Sequence, residues 1–273
     1  MIENIDLVKI AKDIRKKLIY MHYKSSSSHI GSAFSIIEIL VVLYFKILKI
    51  NPRQPNNSDR DRFILSKGHA VSAWYATLAK KGFFNENVLE SYGLDGGILA
   101  GHPDRFSVPG IESSTGSLGH GLPIGIGLAF AAKKDGKNYR VFVLMSDGEC
   151  EEGSVWEGAI SAARLKLDNL IGIIDANKLQ AYEKTDNIQP VSSLKYKFIH
   201  FGWSVKEIDG HNFEELEQTL TNIPFEKNKP TMLIAHTIKG KGISMMENAL
   251  EWHYKSPKKN QLEDFIEELE KGI

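Results

Sequence analysis

Asp147, Gly148 and Asn177 are the residues whose types and spacing point most directly to chemistry. A carboxylate and an amide oxygen are hard donors, and so small a set suits magnesium, which fills its octahedron with waters and phosphate oxygens. Gly148 lets the backbone approach a phosphate with no Cβ in the way. Read from the residues alone, this is a magnesium–diphosphate site. An isolated Asp-Gly pair is also a common turn signal, so its surroundings must decide between the two. Histidines, nine in all, are the other candidates, because imidazoles that are neutral near pH 7 can take up and return protons. A zinc site is their competing use, but neither His-Glu-x-x-His nor Cys-x-x-Cys spacing occurs. Cys150 has no evident activating base and reads as incidental.

The elements that must position these groups follow from pattern. Residues 140–145 and 170–175 are apolar, β-branched runs of strand length. Between them, Ser154 and Glu157 have capping-box spacing ahead of an Ala-rich helix that runs to about Lys166. This is a βαβ unit with parallel strands. Asp147 and Asn177 then fall just past the two strand ends, at the carboxyl edge where open α/β sheets bind ligands. The helix after the first strand also offers its N-terminus to an anion.

The remaining chain alternates in the same way. Apolar positions at helical spacing predict an amphipathic helix over 4–22, and residues 36–48 read as a buried helix. Residues 51–61 are a turn-rich loop, followed by a strand at 62–65 and a helix over 70–81. The glycine-dense stretch 93–121 reads as an ordered binding loop that leads into a small-residue helix over 122–134. Strands are predicted at 203–208 and 231–236, with Asn212 capping the helix between them and an acidic helix over 257–271. The fold class is α/β, a mostly parallel sheet with helices on both faces. With no linker and no repeat, residues 1–273 read as a single domain.

Composition narrows the function. Thirty-four basic residues balance 34 acidic ones, which argues against a polyanion-binding field and so against nucleic acid. One cysteine excludes a disulfide framework and fits a reducing cytoplasm. The N-terminus lacks the apolar core of a signal peptide. The most hydrophobic run, 36–48, contains Glu38 and Lys46 and is too short to span a bilayer. No membrane association is expected.

Taken together, the motifs resemble the diphosphate-binding domain of transketolase. The local arrangement is similar to the thiamine-diphosphate motif Gly-Asp-Gly followed by a distant Asn, with Ser146 standing where the first glycine is usual. In order along the chain come Ser-His-x-Gly at 28–31, Asp-Arg-Phe-x-Leu-Ser-x-Gly-His at 61–69 and Gly-His-Pro at 101–103. Thr-Gly-x-Leu-Gly-x-Gly at 115–121 and Asp-Gly-x-x-x-Glu-Gly at 147–153 follow, then Asn177, Asp-Gly-His at 209–211 and Thr-Ile-x-Gly-x-Gly at 237–242.

The resemblance implies thiamine diphosphate and magnesium as cofactors. It implies magnesium on the side chains of Asp147 and Asn177 and the carbonyl of Leu179. His69, Gly148 and Glu149 belong to the cofactor end, and Gly116 and Leu118 lie near the aminopyrimidine. His29, His102 and His253 line the substrate channel, and Glu152 links cofactor sites across a subunit interface. The loop before His253 departs from the common form. Full-length transketolases continue into a pyrimidine-binding domain that supplies the glutamate for ylide formation. The chain therefore resembles the N-terminal subunit of a split transketolase, and the Lys-Gly-Ile ending after a helix fits a natural terminus. The expected assembly is a self-dimer completed by two C-terminal partner subunits, working on sugars or sugar phosphates. Apolar residues from Gly116 to Leu128, with Val155 and Trp156, are expected to face a neighbour. Alternatives are deoxyxylulose-phosphate synthase-like or 2-oxoacid decarboxylase-like chemistry, or a non-catalytic thiamine-diphosphate-binding subunit. The sugars themselves cannot be read from these residues.

Overall fold

The computed structural model describes residues 5–188 and 194–272. Strands β1 (Arg62–Leu65), β2 (Val141–Ser146), β3 (Leu170–Ala176), β4 (Ser204–Asp209) and β5 (Thr231–His236) form one sheet, ordered β1-β2-β3-β5-β4. Every neighbouring pair is parallel, with Leu144 opposite Ile173 and Ile173 opposite Leu233. All seven residues of β3 are buried, as a central parallel strand covered on both faces requires.

Side-chain alternation along β2 divides the core in two. Phe142 and Leu144 face one layer, and Val141, Val143 and Met145 face the other. The first layer is built from α1 (Leu7–Ser25), α2 (Ile30–Phe34), α3 (Ile37–Val42) and α4 (Val71–Lys81). The second is built from α5 (Gly121–Lys134), α6 (Gly153–Arg164) and α8 (Leu194–His200), with the short helix α7 (Thr185–Ile188) preceding α8 in the chain. Helices α9 (Phe213–Thr221) and α10 (Leu262–Lys271) return to the first layer through Leu216, Leu220, Phe265 and Leu269.

The local rules hold in most places. Asp6 caps α1 by accepting from the Lys9 N–H, and Asn212 caps α9 by accepting from the N–H groups of Glu214 and Glu215. The capping box expected at Ser154 and Glu157 is absent. Helix α6 begins at Gly153, with Glu152 at the cap position and no side-chain bond there. The Ser154 hydroxyl instead donates to the Gly119 carbonyl at 2.9 Å, because the glycine loop packs across this helix end. A 3-10 turn over Gly148–Glu151 also separates Asp147 from α6, so the helix does not start directly at the Asp-Gly pair. The buried helix predicted over 36–48 is α3 extended by a π-helical turn, Leu43–Ile47, and the acidic helix begins only at Leu262.

Candidate active site

A parallel sheet brings all its carboxyl ends to one edge, and here that edge is chemically loaded. The exit of β1 carries Lys67 and His69, that of β2 Asp147, that of β3 Asn177 and that of β5 Lys239. Above them lies a cavity of about 380 Å³. Every candidate lines it: His29, His69, His102, Gly116, Leu118, Asp147, Gly148, Glu149, Glu152, Asn177, Leu179 and His253.

The oxygen donors are held in place from beneath. Asp147 accepts from the Gly148 N–H at 2.9 Å and the Lys178 N–H at 2.6 Å. Lys178 adopts a left-handed backbone, φ 63°, which folds the chain after β3 back toward Asp147. The Asn177 amide NH2 donates to Asp175 at 2.8 Å, and its carbonyl oxygen accepts from the Leu179 N–H at 3.1 Å, which leaves the second lone pair of that oxygen for a metal. Burial and the neighbouring Asp175 charge push the Asp147 carboxyl up to about 6. A buried acid crowded by a second carboxylate is what a divalent cation relieves. With the Leu179 carbonyl this donor set is all oxygen and fits magnesium. Among the described residues, no group of three or more His, Cys, Asp or Glu side chains could hold a metal ion.

Sequence reasoning missed the residues under this floor. Lys67 and Asp175 form an ion pair with both side chains wholly buried. Asp175 also accepts from Ser35 at 2.7 Å and from Thr237, and Lys67 donates to the Ser32 carbonyl at 3.1 Å. Lys239 donates to the Gln180 carbonyl at 3.0 Å, the Leu179 carbonyl at 3.3 Å and His253 Nδ1 at 2.9 Å. Burial and the nearby Lys67 charge lower the Lys239 ammonium to about 8. The available signal was a charged residue inside an otherwise apolar strand, Asp175, and two lysines within strand-exit motifs.

Four histidine rings form the cavity wall. The His29 ring centre lies 5.3 Å from that of His69, 6.5 Å from His102 and 4.8 Å from His253. His29 has a left-handed backbone, φ 75°, and its N–H donates to the His253 carbonyl at 2.9 Å. Burial lowers His29 to about 4. Burial and then the Lys239 charge lower His253 to about 3, and burial holds His69 well below the ordinary range. These three rings are neutral at pH 7. Because Lys239 can only donate, His253 Nδ1 accepts and the ring proton sits on Nε2. His29 Nδ1 is buried with no hydrogen-bond partner, a polar atom left for something that enters the cavity.

The glycine loop is fastened by Glu149. This fully buried carboxylate accepts from the Ser66 hydroxyl, the Gly119 N–H at 2.8 Å and the Ser146 N–H at 3.3 Å, so its acceptor capacity is met by protein. Gly119 has φ 83°, and a Cβ there would lie 2.6 Å from Glu152 Cβ. A Cβ on Gly148 would meet the Gln180 side chain at 2.9 Å, so its nearest neighbour is protein as well as any phosphate. Cys150 is buried and its thiol is pushed well up by desolvation, which leaves it protonated. The expected apolar face is partly internal. Val155 is buried, and Trp156 packs on Phe198 and Phe201 at 5.1 and 5.7 Å. The apolar side chains left in solvent on α5 and α6 are Ile124, Phe130 and Ile160.

Fold and site thus define an α/β domain built to hold a metal-bound diphosphate at its carboxyl edge. Residues 8–269 match the family model described as transketolase, thiamine diphosphate binding domain. The chain is 44% identical over 259 residues to a subunit of the apulose-4-phosphate transketolase of Phocaeicola vulgatus, covering 95% of this chain and 92% of that one. It is 38% identical over 269 residues to the 6-deoxy-6-sulfo-D-fructose transketolase subunit SqwG of Clostridium sp., covering 98% of each. It superimposes on the transketolase of Leishmania mexicana with a TM-score of 0.88 at 29% identity, covering 97% of this chain but 41% of that one. The chain belongs to the transketolase family, whose members transfer ketol groups with thiamine diphosphate and a divalent metal.

Proposed function

We propose that this chain is the diphosphate-binding subunit of a two-component transketolase, active with a separate pyrimidine-binding subunit. The observation that supports it is the paired coverage: nearly the full length of relatives named as transketolase subunits, against 41% of a longer transketolase chain. Asp147, the Asn177 oxygen and the Leu179 carbonyl would hold magnesium, while Gly148 and His69 would meet the diphosphate. Thiamine diphosphate, when bound, supplies an electron sink for breaking the carbon–carbon bond beside a ketone. Neutral His29, with His102 and His253, would hold substrate hydroxyls and move their protons. Gly116 and Leu118 would support the pyrimidine end.

The exposed Ile124 and Phe130 of α5 and Ile160 of α6, the helix that Glu152 immediately precedes, support pairing of two copies through α5 and α6. Two partner subunits would complete a two-plus-two assembly, with Glu152 linking its cofactor sites. Residues 1–273 would act as a single domain, in the cytoplasm. Among the described residues no helix is long and apolar enough to cross a membrane. The test is transfer of a ketol unit from D-xylulose 5-phosphate to an aldose, with and without the subunit that co-purifies with this chain. Activity only with the partner is expected. Robust turnover by the isolated chain would overturn the two-component reading.

A further inference from the structure

Tyr182 and Tyr254 stand beside the cavity wall, and neither belongs to the core. Tyr182 is 78% exposed and Tyr254 53% exposed. A tyrosine is a large apolar ring with one polar tip, and leaving the ring in water gives up most of what it can contribute to folding. Each directly follows a residue of the cavity wall, Ala181 in one case and His253 in the other. They arrive from distant parts of the chain, Tyr182 beyond the exit of β3 and Tyr254 after the turn Leu250–His253.

Their rings nevertheless meet, with centres 6.1 Å apart at 43°. The neighbouring Tyr182 phenol raises the Tyr254 hydroxyl above its ordinary pKa. On its inner side the Tyr254 ring lies 4.9 Å from that of His253 and 6.2 Å from that of His29. The aromatic surface is therefore continuous with the imidazole wall, close to the unpartnered His29 Nδ1. Beside Tyr254, Glu251 and Lys255 pair with each other at 3.5 Å, and beside Tyr182 the exposed Glu183 accepts from the Lys184 N–H at 2.8 Å.

The chemistry of such a rim is specific. An extended sugar chain presents C–H edges and hydroxyls in alternation. Ring faces cover the C–H edges, and a phenol hydroxyl can both donate to and accept from a neighbouring hydroxyl. Pockets that orient polar ligands combine apolar walls with a few such groups. We propose that Tyr182 and Tyr254 contact the substrate and select the length and hydroxyl pattern of the sugar chain beyond the reacting carbons. The inference rests on the ketol-transfer reading above. It implies that a five-carbon donor reaches the rim, whereas a three-carbon ketol donor such as hydroxypyruvate stays among the histidines.

The test uses the chain assembled with its co-purifying subunit, comparing Y182A, Y254A and Y254F with the unaltered protein. Each alanine variant should raise KM for D-xylulose 5-phosphate about tenfold, a loss of about 1.4 kcal/mol. KM for hydroxypyruvate should rise under about threefold, with thiamine diphosphate affinity held. Y254F should fall between. Equal rises for both donors, no rise for either, or weakened binding of the partner chain with KM unchanged would overturn the proposal, the last by giving the rim to that partner. If the unaltered assembly transfers no ketol unit, the functional reading fails by itself. Saturation transfer from tyrosine ring protons to D-arabitol then decides the rim. A signal abolished in the Y182A/Y254A variant supports it, and a signal absent from the start or unchanged by the variant overturns it.

Discussion

Lys67 and Asp175 are ion-paired beneath the cavity floor, and solvent reaches neither side chain. The lysine leaves β1 and the aspartate lies near the end of β3, so the pair ties two strand exits together under the oxygens of Asp147 and Asn177. Asp175 stays ionised because the Lys67 charge, with hydrogen bonds from Lys67, Thr237 and Ser35, outweighs its burial. Removing one partner of a buried pair strands the other charge, which costs about 3–5 kcal/mol. Lys67→Met should therefore lower unfolding free energy by about that amount, read from the urea midpoint. A loss under about 1 kcal/mol would show that the pair is dispensable.

Asp147→Ala should remove the carboxylate proposed to hold magnesium while leaving the fold standing, since its partners are backbone N–H groups and the buried Thr185 hydroxyl. Thiamine diphosphate affinity in the presence of magnesium should fall at least about a hundredfold, on the order of 3 kcal/mol. Titration calorimetry on the assembled enzyme measures it. Unchanged affinity would sink the metal assignment.

His69 and His102 should separate cleanly. His69→Ala is expected to weaken cofactor binding about tenfold, the equivalent of about 1.4 kcal/mol. His102→Ala should leave cofactor affinity in place and lower kcat on the ketose donor about 10²-fold, the scale of lost proton-transfer assistance. Matching behaviour in the two variants would rule out this division of roles.

Stability should decline in mild acid, with the sign set by buried histidine. His22 is enclosed between the Ser27 carbonyl and the Ser72 hydroxyl, at 3.0 and 2.8 Å. Burial lowers its pKa from 6.5 to about 4. Above pH 6.5 the ring is neutral folded or unfolded, so its contribution is fully present. Between pH 6.5 and 4 the unfolded chain binds a proton that the native site refuses, removing about 1.4 kcal/mol per pH unit. Below pH 4 that loss is complete. Urea unfolding at pH 7 and pH 5 should show a flatter dependence for His22→Asn than for the unaltered chain, and parallel dependences would exclude His22 as the source.

Local pattern made much of this legible. β1 ends where its apolar run ends, and β2 and β3 differ from expectation by one residue, because a central parallel strand is written as an uninterrupted apolar segment. That pattern alone is enough to set Asp147 and Asn177 at one edge. What escaped were pairs joined only in three dimensions. Arg15 and Glu38 meet at 2.7 Å with both side chains buried, and Glu38 also accepts from His211, yet each sits in a separate apolar helix or turn. Asp175 was absorbed into its strand and Lys239 into a glycine turn for the same reason. Periodicity reports which face a residue occupies but not which charge waits there. The Ser154–Glu157 spacing failed differently, because a distant carbonyl, that of Gly119, competed for the serine hydroxyl.

The backbone bond from His29 to the His253 carbonyl joins opposite ends of the chain across the cavity. During synthesis the first two strands can pair, and α1 can collapse against α4, long before residue 253 exists. The histidine wall cannot close until residue 253 has been made. The substrate side of the cavity is thus a late feature of synthesis. A chain halted before residue 253 would carry the oxygen donors Asp147 and Asn177 yet lack the ring that closes the histidine wall, so any tightening that a bound sugar confers would come only once that ring is in place.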